Sequence, residues 1–584
     1  MPTSLIDADS LLTIDVGSVT TRALIFDVVD GRYRFIAAGS APTTATAPYH
    51  DIGEGVRQAL DQLQSLSGRI LIGSDEHLIL PSKPDGSGVD TCVATVSVGN
   101  PLKVAVVGLL EDVSLDSAQR LAASTYTQVV EKITLTDRRK SAARLDALVR
   151  VRPDVIIVTG GTEGGASQSV MNLLEAVGLA CYLIPKDHRP DVLYAGNSKL
   201  VKEVESALSS LTRLSIAPNV RPTIEEEQLA PAHARLAKIY RGIRSRNLPG
   251  VLELDSWTGG RLLPTATAFG RVVRFLSRVY DPAKGVLGVD VGASATTVAA
   301  AFGGDLNLGV YPELGLGALV PGIMQYGSLE EITRWLSVDI SDADVRNYVY
   351  NKTTNPASVP DTPEALAIEQ ALARRALQIA VRKLAVSFPE KAAGPGGGRL
   401  PWFEPIVAAG SIFTQAPTNG QSLLMLLDSL QPTGITTLVL DQNNLASSLG
   451  AAAEINSILP IQLLESTTFV TLGTVISPVG KAQLGASILR AKITYENGNE
   501  TSVEVKHGAL EVIPLPMGQP ARIRLQPLNR FDVGMGAPGR GGEVKVVGGM
   551  FGVIIDARGR PLRLPVDPGR RRELFKKWLW IFGG

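Results

Sequence analysis

Two stretches of this chain place a carboxylate, a glycine and a set of hydroxyls in the same order. The first reads Leu11-Leu-Thr-Ile-Asp15-Val-Gly17-Ser18-Val-Thr20-Thr21-Arg22-Ala-Leu-Ile-Phe-Asp27. The second reads Val286-Leu-Gly-Val-Asp290-Val-Gly292-Ala-Ser294-Ala-Thr296-Thr297-Val-Ala-Ala-Ala-Phe302. Each is an apolar run ending in Asp-x-Gly, a short turn, and a second apolar run. That pattern predicts a tight β-hairpin with a carboxylate at the end of its first strand. Glycine lets a backbone approach a ligand closely, and turn amides with Ser and Thr hydroxyls hydrogen-bond phosphate oxygens. A hydrated magnesium ion needs only one or two protein carboxylates. Asp15 and Asp290 are therefore the candidate catalytic and metal-holding residues. Gly17, Ser18, Thr20, Thr21, Gly292, Ser294, Thr296 and Thr297 are the candidate phosphate cradle. Arg22 is placed either to neutralise phosphate charge or to lie at the surface. Two such hairpins facing each other would grip a nucleoside triphosphate from both sides. One Asp-x-Gly turn alone reads as a backbone-capping turn former; the second copy favours the nucleotide.

The elements that must position these groups are legible around them. Residues 11–38 predict a three-stranded meander (11–16, 22–27, 32–38) turning on Asp30-Gly31. A helix is predicted over 51–68 with Val56, Leu60, Leu63 and Leu66 on one face, and a short strand over 69–73. From 103 to 220 strands (104–109, 155–159, 180–185) alternate with helices (117–125, 139–149, 167–177), the signature of a parallel sheet covered by helices. Such sheets bind ligands at the carboxyl ends of their strands. There lies the loop Gly160-Gly161-Thr-Glu163-Gly164-Gly165, either a phosphate-cradling or nucleobase-flanking loop (Gly160, Gly161 and Gly164 its candidate residues) or a turn needed for close strand–helix approach.

Helices over 223–245 and 265–279 lead to the second hairpin. A mostly helical region, with one long helix over 363–388, precedes a glycine tract at 394–398. The run 405–413 predicts a buried strand entering a turn at Gly410-Ser411; a strand over 436–440 and a small-residue helix over 444–455 follow. From 466 to 565 the alternation is that of a separate small barrel or sandwich. Its Gly534-x-Gly536-x-x-Gly539 reads as a loop, because strands rather than a helix follow it. A basic, aromatic helix over 570–582 is expected to dock on the body.

Length and composition bound the rest. The 584 residues imply about three or four domains. With 45% apolar and 20% charged residues the chain is of ordinary globular type. Lys and Arg (57) balance Asp and Glu (57), so overall charge does not call for nucleic acid. Two cysteines, Cys92 and Cys181, and no leader-like start favour a reducing, cytoplasmic location. No Cys/His spacing suits a metal cluster, and no apolar run is long enough to span a bilayer.

Two Asp-x-Gly hairpins followed by a Gly-rich turn and a small-residue helix resemble the actin-like ATPase superfamily. A closer resemblance is to the glutamate mutase L family, whose members are accessory proteins encoded beside an adenosylcobalamin-dependent mutase. It is carried by Ile14-Asp-Val-Gly-Ser-Val-Thr-Thr-Arg22, Ala41-Pro-Thr-Thr44, Thr159-Gly-Gly-Thr-Glu-Gly-Gly165, Tyr194-Ala-Gly-Asn-Ser-Lys199, Asp290-Val-Gly-Ala-Ser-Ala-Thr-Thr297 and Gly304-Asp-Leu306. It covers roughly residues 10–460. The chain has Val298 where the family usually has an acidic residue, and Gly410-Ser411 where the turn usually has two glycines.

The resemblance implies an α/β, ribonuclease H-like, two-lobed actin-like ATPase fold with an inserted α/β subdomain and a C-terminal all-β domain. The implied domains are 1–102 (first lobe), 103–222 (insert), 223–465 (second lobe) and 466–584 (β-rich domain with terminal helix). It implies ATP and Mg²⁺ as cofactors, Gly410 and Ser411 flanking the adenosine, and residues 446–453 as the helix linking the lobes. The implied function is a chaperone-like accessory or reactivating ATPase, with a cobalamin-dependent mutase or other protein client as partner and neither nucleic acid nor a membrane span. Alternatives are an actin-like scaffold or nucleotide-binding module without turnover, and a small-molecule kinase. His50, His77, His188, His233 and His507 are scattered, so no cobalamin ligand or kinase base is assigned, and the Asp-x-His-x-x-Gly signature of a cobalamin-binding mutase core is missing.

Overall fold

The computed structural model describes residues 10–389, 392, 394 and 400–583; the glycine tract expected at 394–398 lies, beyond Gly394, outside them. Strand β1 (Leu11–Val16) buries Leu11, Leu12, Ile14 and Val16, each contributing roughly 1.5–3 kcal/mol of burial. β2 (Thr20–Val29) returns antiparallel, with Asp15 opposite Arg22. Asp30 and Gly31 both take positive φ (51° and 73°), as a two-residue hairpin turn requires, and lead into β3 (Arg32–Pro42). The helix Ile52–Ser67 follows, capped by the Asp51 side chain and stopped at Gly68. It buries Val56, Leu60 and Leu63 as expected and leaves Leu66 exposed. The strand predicted at 69–73 is reduced to one bridge, Ile72 with Leu78.

β4 (Thr91–Val96) joins β1 in parallel, and the insert begins. β5 (Leu102–Val107), β6 (Thr127–Ile133), β7 (Val155–Val158), β8 (Asp191–Tyr194) and β9 (Leu214–Ile216) form a wholly parallel sheet of order β6-β5-β7-β8-β9. The strand expected at 180–185 is not formed. The helix Ser167–Leu183 runs through it, because Val170, Leu173, Leu174, Val177, Ala180 and Cys181 continue a helical stripe into the core. The helix expected from 223 starts at Ala230, with a proline in its first turn. β10 (Leu263–Pro264) then returns to the first sheet, whose order is β10-β4-β1-β2-β3. The helix Thr265–Val279 follows directly.

β11 (Gly285–Val291), β12 (Thr296–Phe302), β13 (Asp305–Tyr311), β14 (Phe403–Ala409) and β15 (Gly434–Leu440) repeat that arrangement, in the order β13-β12-β11-β14-β15. As in the first sheet, the opening pair is antiparallel and the next strand joins in parallel. The protein is thus built on the twice-used ribonuclease H-like sheet of the actin-like fold.

The C-terminal region is β-rich, but its strands divide. Of β16 (Val470–Ser477), β17 (Ser487–Tyr495), β18 (Glu500–Lys506), β19 (Leu510–Ile513), β20 (Pro520–Pro527), β21 (Gly542–Val547) and β22 (Val553–Asp556), three extend the second sheet as β15-β16-β22-β19. The other four form an antiparallel sheet, β18-β17-β20-β21. Ile476, Ile513 and Val553 of the one share a core with Ile488, Ile493, Ile523 and Leu525 of the other, which is why the region is not a free-standing sandwich. The terminal helix, Pro568–Ile581, docks by Phe575 and Trp578.

Beneath it Arg558 is buried, its guanidinium 4.5 Å from the Trp578 ring centroid. It donates to both oxygens of Asp556 (2.9 Å each) and to Asp428 Oδ1 (2.8 Å). Arg374 holds Asp428 Oδ2 and Arg560 holds Asp556 Oδ2, both at 2.9 Å.

By internal contacts the chain divides into two units: Met1–Gly31 with Ile36–Ala268 and Gly309–Pro312, and Arg32–Phe35 with Phe269–Leu308 and Glu313–Gly584. Among the described residues no helix is long and apolar enough to cross a membrane.

Candidate functional site

The first hairpin closes where glycine and hydroxyls were expected. Gly17 N–H donates to Thr20 O at 3.0 Å across the Ser18-Val19 loop. Thr43, just past β3, clamps this turn from behind. Its N–H donates to Val19 O (2.8 Å) and its hydroxyl to Gly17 O (2.8 Å). The Thr21 hydroxyl lies 2.9 Å from that of Thr43. A hydroxyl has one proton, so Thr43, having spent its own on Gly17, accepts from Thr21. Thr21 is fully buried and serves the turn's frame; Ser18, Thr20 and Arg22 are half-buried.

Asp15 is half-buried at the end of β1. Its Oδ1 accepts from Thr95 Oγ1 at 2.5 Å and from Thr265 Oγ1 at 3.1 Å. Burial pushes this carboxyl above its usual range, against the opposing effects of Thr95, Arg22 and Thr265.

The second hairpin is built the same way. Gly292 N–H donates to Ala295 O at 3.0 Å across the Ala293-Ser294 loop. The segment just past β13 backs it: Leu316 N–H donates to Gly292 O (3.0 Å) and Gly317 N–H to Ala293 O (2.9 Å). Gly315 passes so close that a β-carbon there would stand 2.6 Å from Ala293 O. Thr296 is fully buried and donates to Leu314 O at 2.7 Å, Thr297 is buried, and Ser294 is half-buried.

Asp290 lies at the end of β11, opposite Thr297 on β12 and Ala409 on β14. The next residue along β14's path, Gly410, has φ +103° and abuts the Asp290 carboxylate. Its N–H donates to Asn444 Oδ1 at 2.9 Å. Fully buried Asp441 accepts from Leu445 N (2.8 Å) and Ala446 N (2.7 Å), starting the small-residue helix Ala446–Ala452. Gly410 and the exposed Ser411 thus stand at the strand end that carries Asp290.

Gly160, Gly161 and Gly164 lie in the loop that follows β7 of the insert's parallel sheet. Their loop is tied down by fully buried Asn197, which donates to Gly165 O and accepts from Gly164 N, and by Asn219, which donates to Gly161 O. Glu163 accepts from Ser198 and Asn219; burial alone would raise its carboxyl, but these donors and Lys199 hold it below the usual range.

Thr43, Thr95, Thr265, the 315–317 segment, Asp441 and Asn444 were not singled out from the sequence. Thr43 sat in a quoted motif without a role; the others gain meaning only from strand register. Among the described residues no three His, Cys, Asp or Glu side chains gather as a metal cage. Asp15 and Asp290, each a carboxylate at the end of a strand, are the residues that could hold a hydrated magnesium ion, which needs only one or two protein carboxylates. Burial pushes the thiols of Cys92 and Cys181 up to about 12 and about 11, so neither is a nucleophile.

A sequence profile of the family described as MutL protein matches residues 11–468. No curated protein matches the chain in sequence. Among solved structures it is similar to component A of the Acidaminococcus fermentans (R)-2-hydroxyglutaryl-CoA dehydratase, at 9% identity over 76% of this chain and 97% of that one, TM-score 0.27. It is similar to the ethanolamine utilization protein EutJ from Carboxydothermus hydrogenoformans (8% identity, 76% and 90% covered, TM-score 0.30). It is also similar to a diol dehydratase-reactivating factor in nucleotide-free form (10% identity, 76% and 99% covered, TM-score 0.30).

Proposed function

Since the chain belongs to the MutL protein (glutamate mutase L) family, we propose that it is an ATP-binding, actin-like accessory or reactivating ATPase for an adenosylcobalamin-dependent mutase of the glutamate mutase type. The observation that carries this reading is the repetition of one device: an Asp-x-Gly hairpin at the same place in two sheets of the same order, each turn clamped from behind by the segment after the third strand. A turn held that firmly keeps its amides and the Ser18, Thr20 and Ser294 hydroxyls in one arrangement, as phosphate positioning requires.

In this reading Asp15 and Asp290 are the carboxylates that would hold magnesium and orient the attacking water. Arg22 adds positive charge beside Asp15, and Gly410 with Ser411 flanks the adenosine. Bound Mg²⁺ supplies neutralisation of phosphate charge, and the rest is positioning. Thr21 and Thr296 act by holding the turns.

A second reading, nucleotide binding without turnover, is favoured by Val298, a fully buried apolar side chain directly after Thr297 that leaves this strand start without a second carboxylate.

Calorimetry with Mg-ATP on the wild type, Asp15→Ala and Asp290→Ala tests the proposal. Binding lost in both variants supports it, and no binding to the wild type overturns it. Phosphate release that rises on adding a cobalamin mutase supports the accessory role; binding with no release in its presence supports the second reading.

A further inference from the structure

We propose that Thr265, together with Thr95, is a positioning residue of the first motif: the two hydroxyls grip one oxygen of the Asp15 carboxylate and aim the other at the ligand. This rests on the nucleotide reading above and names what regulates the carboxylate at that site.

Three adjacent strand ends carry the arrangement. β4 runs parallel to β1 with Thr95 opposite Asp15, and β10 runs parallel to β4 with Leu263 opposite Thr95. Thr265 is the residue after β10 and the first of the helix 265–279. Both hydroxyls reach the same atom, Asp15 Oδ1, at 2.5 and 3.1 Å. A carboxylate oxygen offers about two lone-pair directions, so two donors fill Oδ1. The carboxylate torsion of an aspartate is otherwise broad and roughly two-fold. Two donors on one oxygen remove that freedom and distinguish the two oxygens, presenting Oδ2 as the acceptor that remains. Had the hydroxyls bonded to one oxygen each, the carboxylate would be half spent on either side. A hydroxyl at a helix start ordinarily accepts from the helix's own amides through its oxygen; the Thr265 hydroxyl donates its one proton to the Asp15 carboxylate.

Thr95 is buried, so its removal also disturbs the core, whereas Thr265 is half-buried and is the cleaner probe. The test is a Mg²⁺ titration of ATP binding by the full chain, for the wild type, Thr265→Val and Thr265→Ser, with melting curves to establish folding; Thr265→Ala replaces the valine variant should that one fail to fold. Loss of an outer partner of a metal-binding group commonly costs tenfold or more in metal affinity. The expected result is a Mg²⁺ midpoint raised about tenfold in Thr265→Val, restored to within about twofold in Thr265→Ser, with ATP affinity at saturating Mg²⁺ nearly unchanged. An unshifted midpoint in Thr265→Val, with wild-type binding intact, overturns this inference and spares the nucleotide reading. An equal shift in the serine variant also overturns it, since the hydroxyl would not then be the determinant. Absence of Mg-ATP binding by the wild type overturns the nucleotide reading, and this inference with it.

Discussion

Gly410 lies so close to Asp290 that a β-carbon added to it would stand 2.8 Å from carboxylate Oδ1 and 2.4 Å from Val291 O. The backbone cannot yield cheaply, because φ of +103° already belongs to the region that favours glycine and the Gly410 amide is engaged by Asn444. Gly410→Ala is therefore expected to destabilise the protein by about 2 kcal/mol or more and to weaken ATP binding at the same time. Urea unfolding and calorimetry on the same preparation check both.

Thr43 makes a complementary case in the first hairpin. Thr43→Val keeps the volume but leaves the Gly17 carbonyl and the Thr21 hydroxyl without their partner, at an expected loss of about 1–3 kcal/mol. Amide exchange of residues 17–21 should quicken, and Thr43→Ser should restore it.

These two residues mark how far the sequence could be read. Asp15, Asp290 and their turn glycines were legible because a hairpin is local: strand, turn and strand lie within twenty residues, and their chemistry is written in order. Gly410 was reached through the resemblance, but its reason, a contact with the strand that carries Asp290, depends on β14 pairing with β11. Thr43, just past β3, and Thr95, within β4, are ordinary threonines until the fold sets the one behind a turn and the other opposite a carboxylate. The misread segment at 180–185 failed for a different reason. A short apolar run fits a strand as well as the last turns of a buried helix, and only its phase with Val170, Leu173 and Val177 decides. The C-terminal strands were recognised by alternation, which says nothing of which sheet each one joins.

The buried ion network predicts acid sensitivity. Burial alone would raise the Asp556 carboxyl, but Arg558 and Arg560 hold it far below the usual carboxylate range. A carboxyl depressed in the folded state contributes stability that is complete above its unfolded value and is lost as pH falls below it. Stability should therefore fall steeply below about pH 4. Asp556→Asn should flatten that acid limb while costing about 3–5 kcal/mol at neutral pH, since Arg558 and Arg560 lose a buried partner. Denaturant titrations from pH 3 to 7 check both.

His233 gives a second, separable pH effect. Its Nε2 is buried without a partner, and burial pushes the imidazole down to about 4 against the pull of Glu227. The unfolded chain binds a proton near pH 6.5 that the folded chain refuses, so stability declines as pH falls from about 6.5 to 4, by up to roughly 3 kcal/mol. In His233→Gln this decline should vanish, with the acid limb of Asp556 left in place. Melting temperatures of wild type and variant between pH 4 and 7 decide it.

The bond from Thr265 to Asp15 spans 250 positions of chain. On the ribosome, at about 5–20 residues per second, that separation corresponds to roughly 10–50 s of synthesis. Through that interval the nascent hairpin already displays its carboxylate, yet the second hydroxyl that would orient it has not been made. The intervening parallel sheet must emerge first, and a short strand must then travel back to β4. The first motif is thus completed 250 residues after its carboxylate is made although it is encoded at the start, and a chain stalled before residue 265 would present a hairpin that has its turn but not its aim.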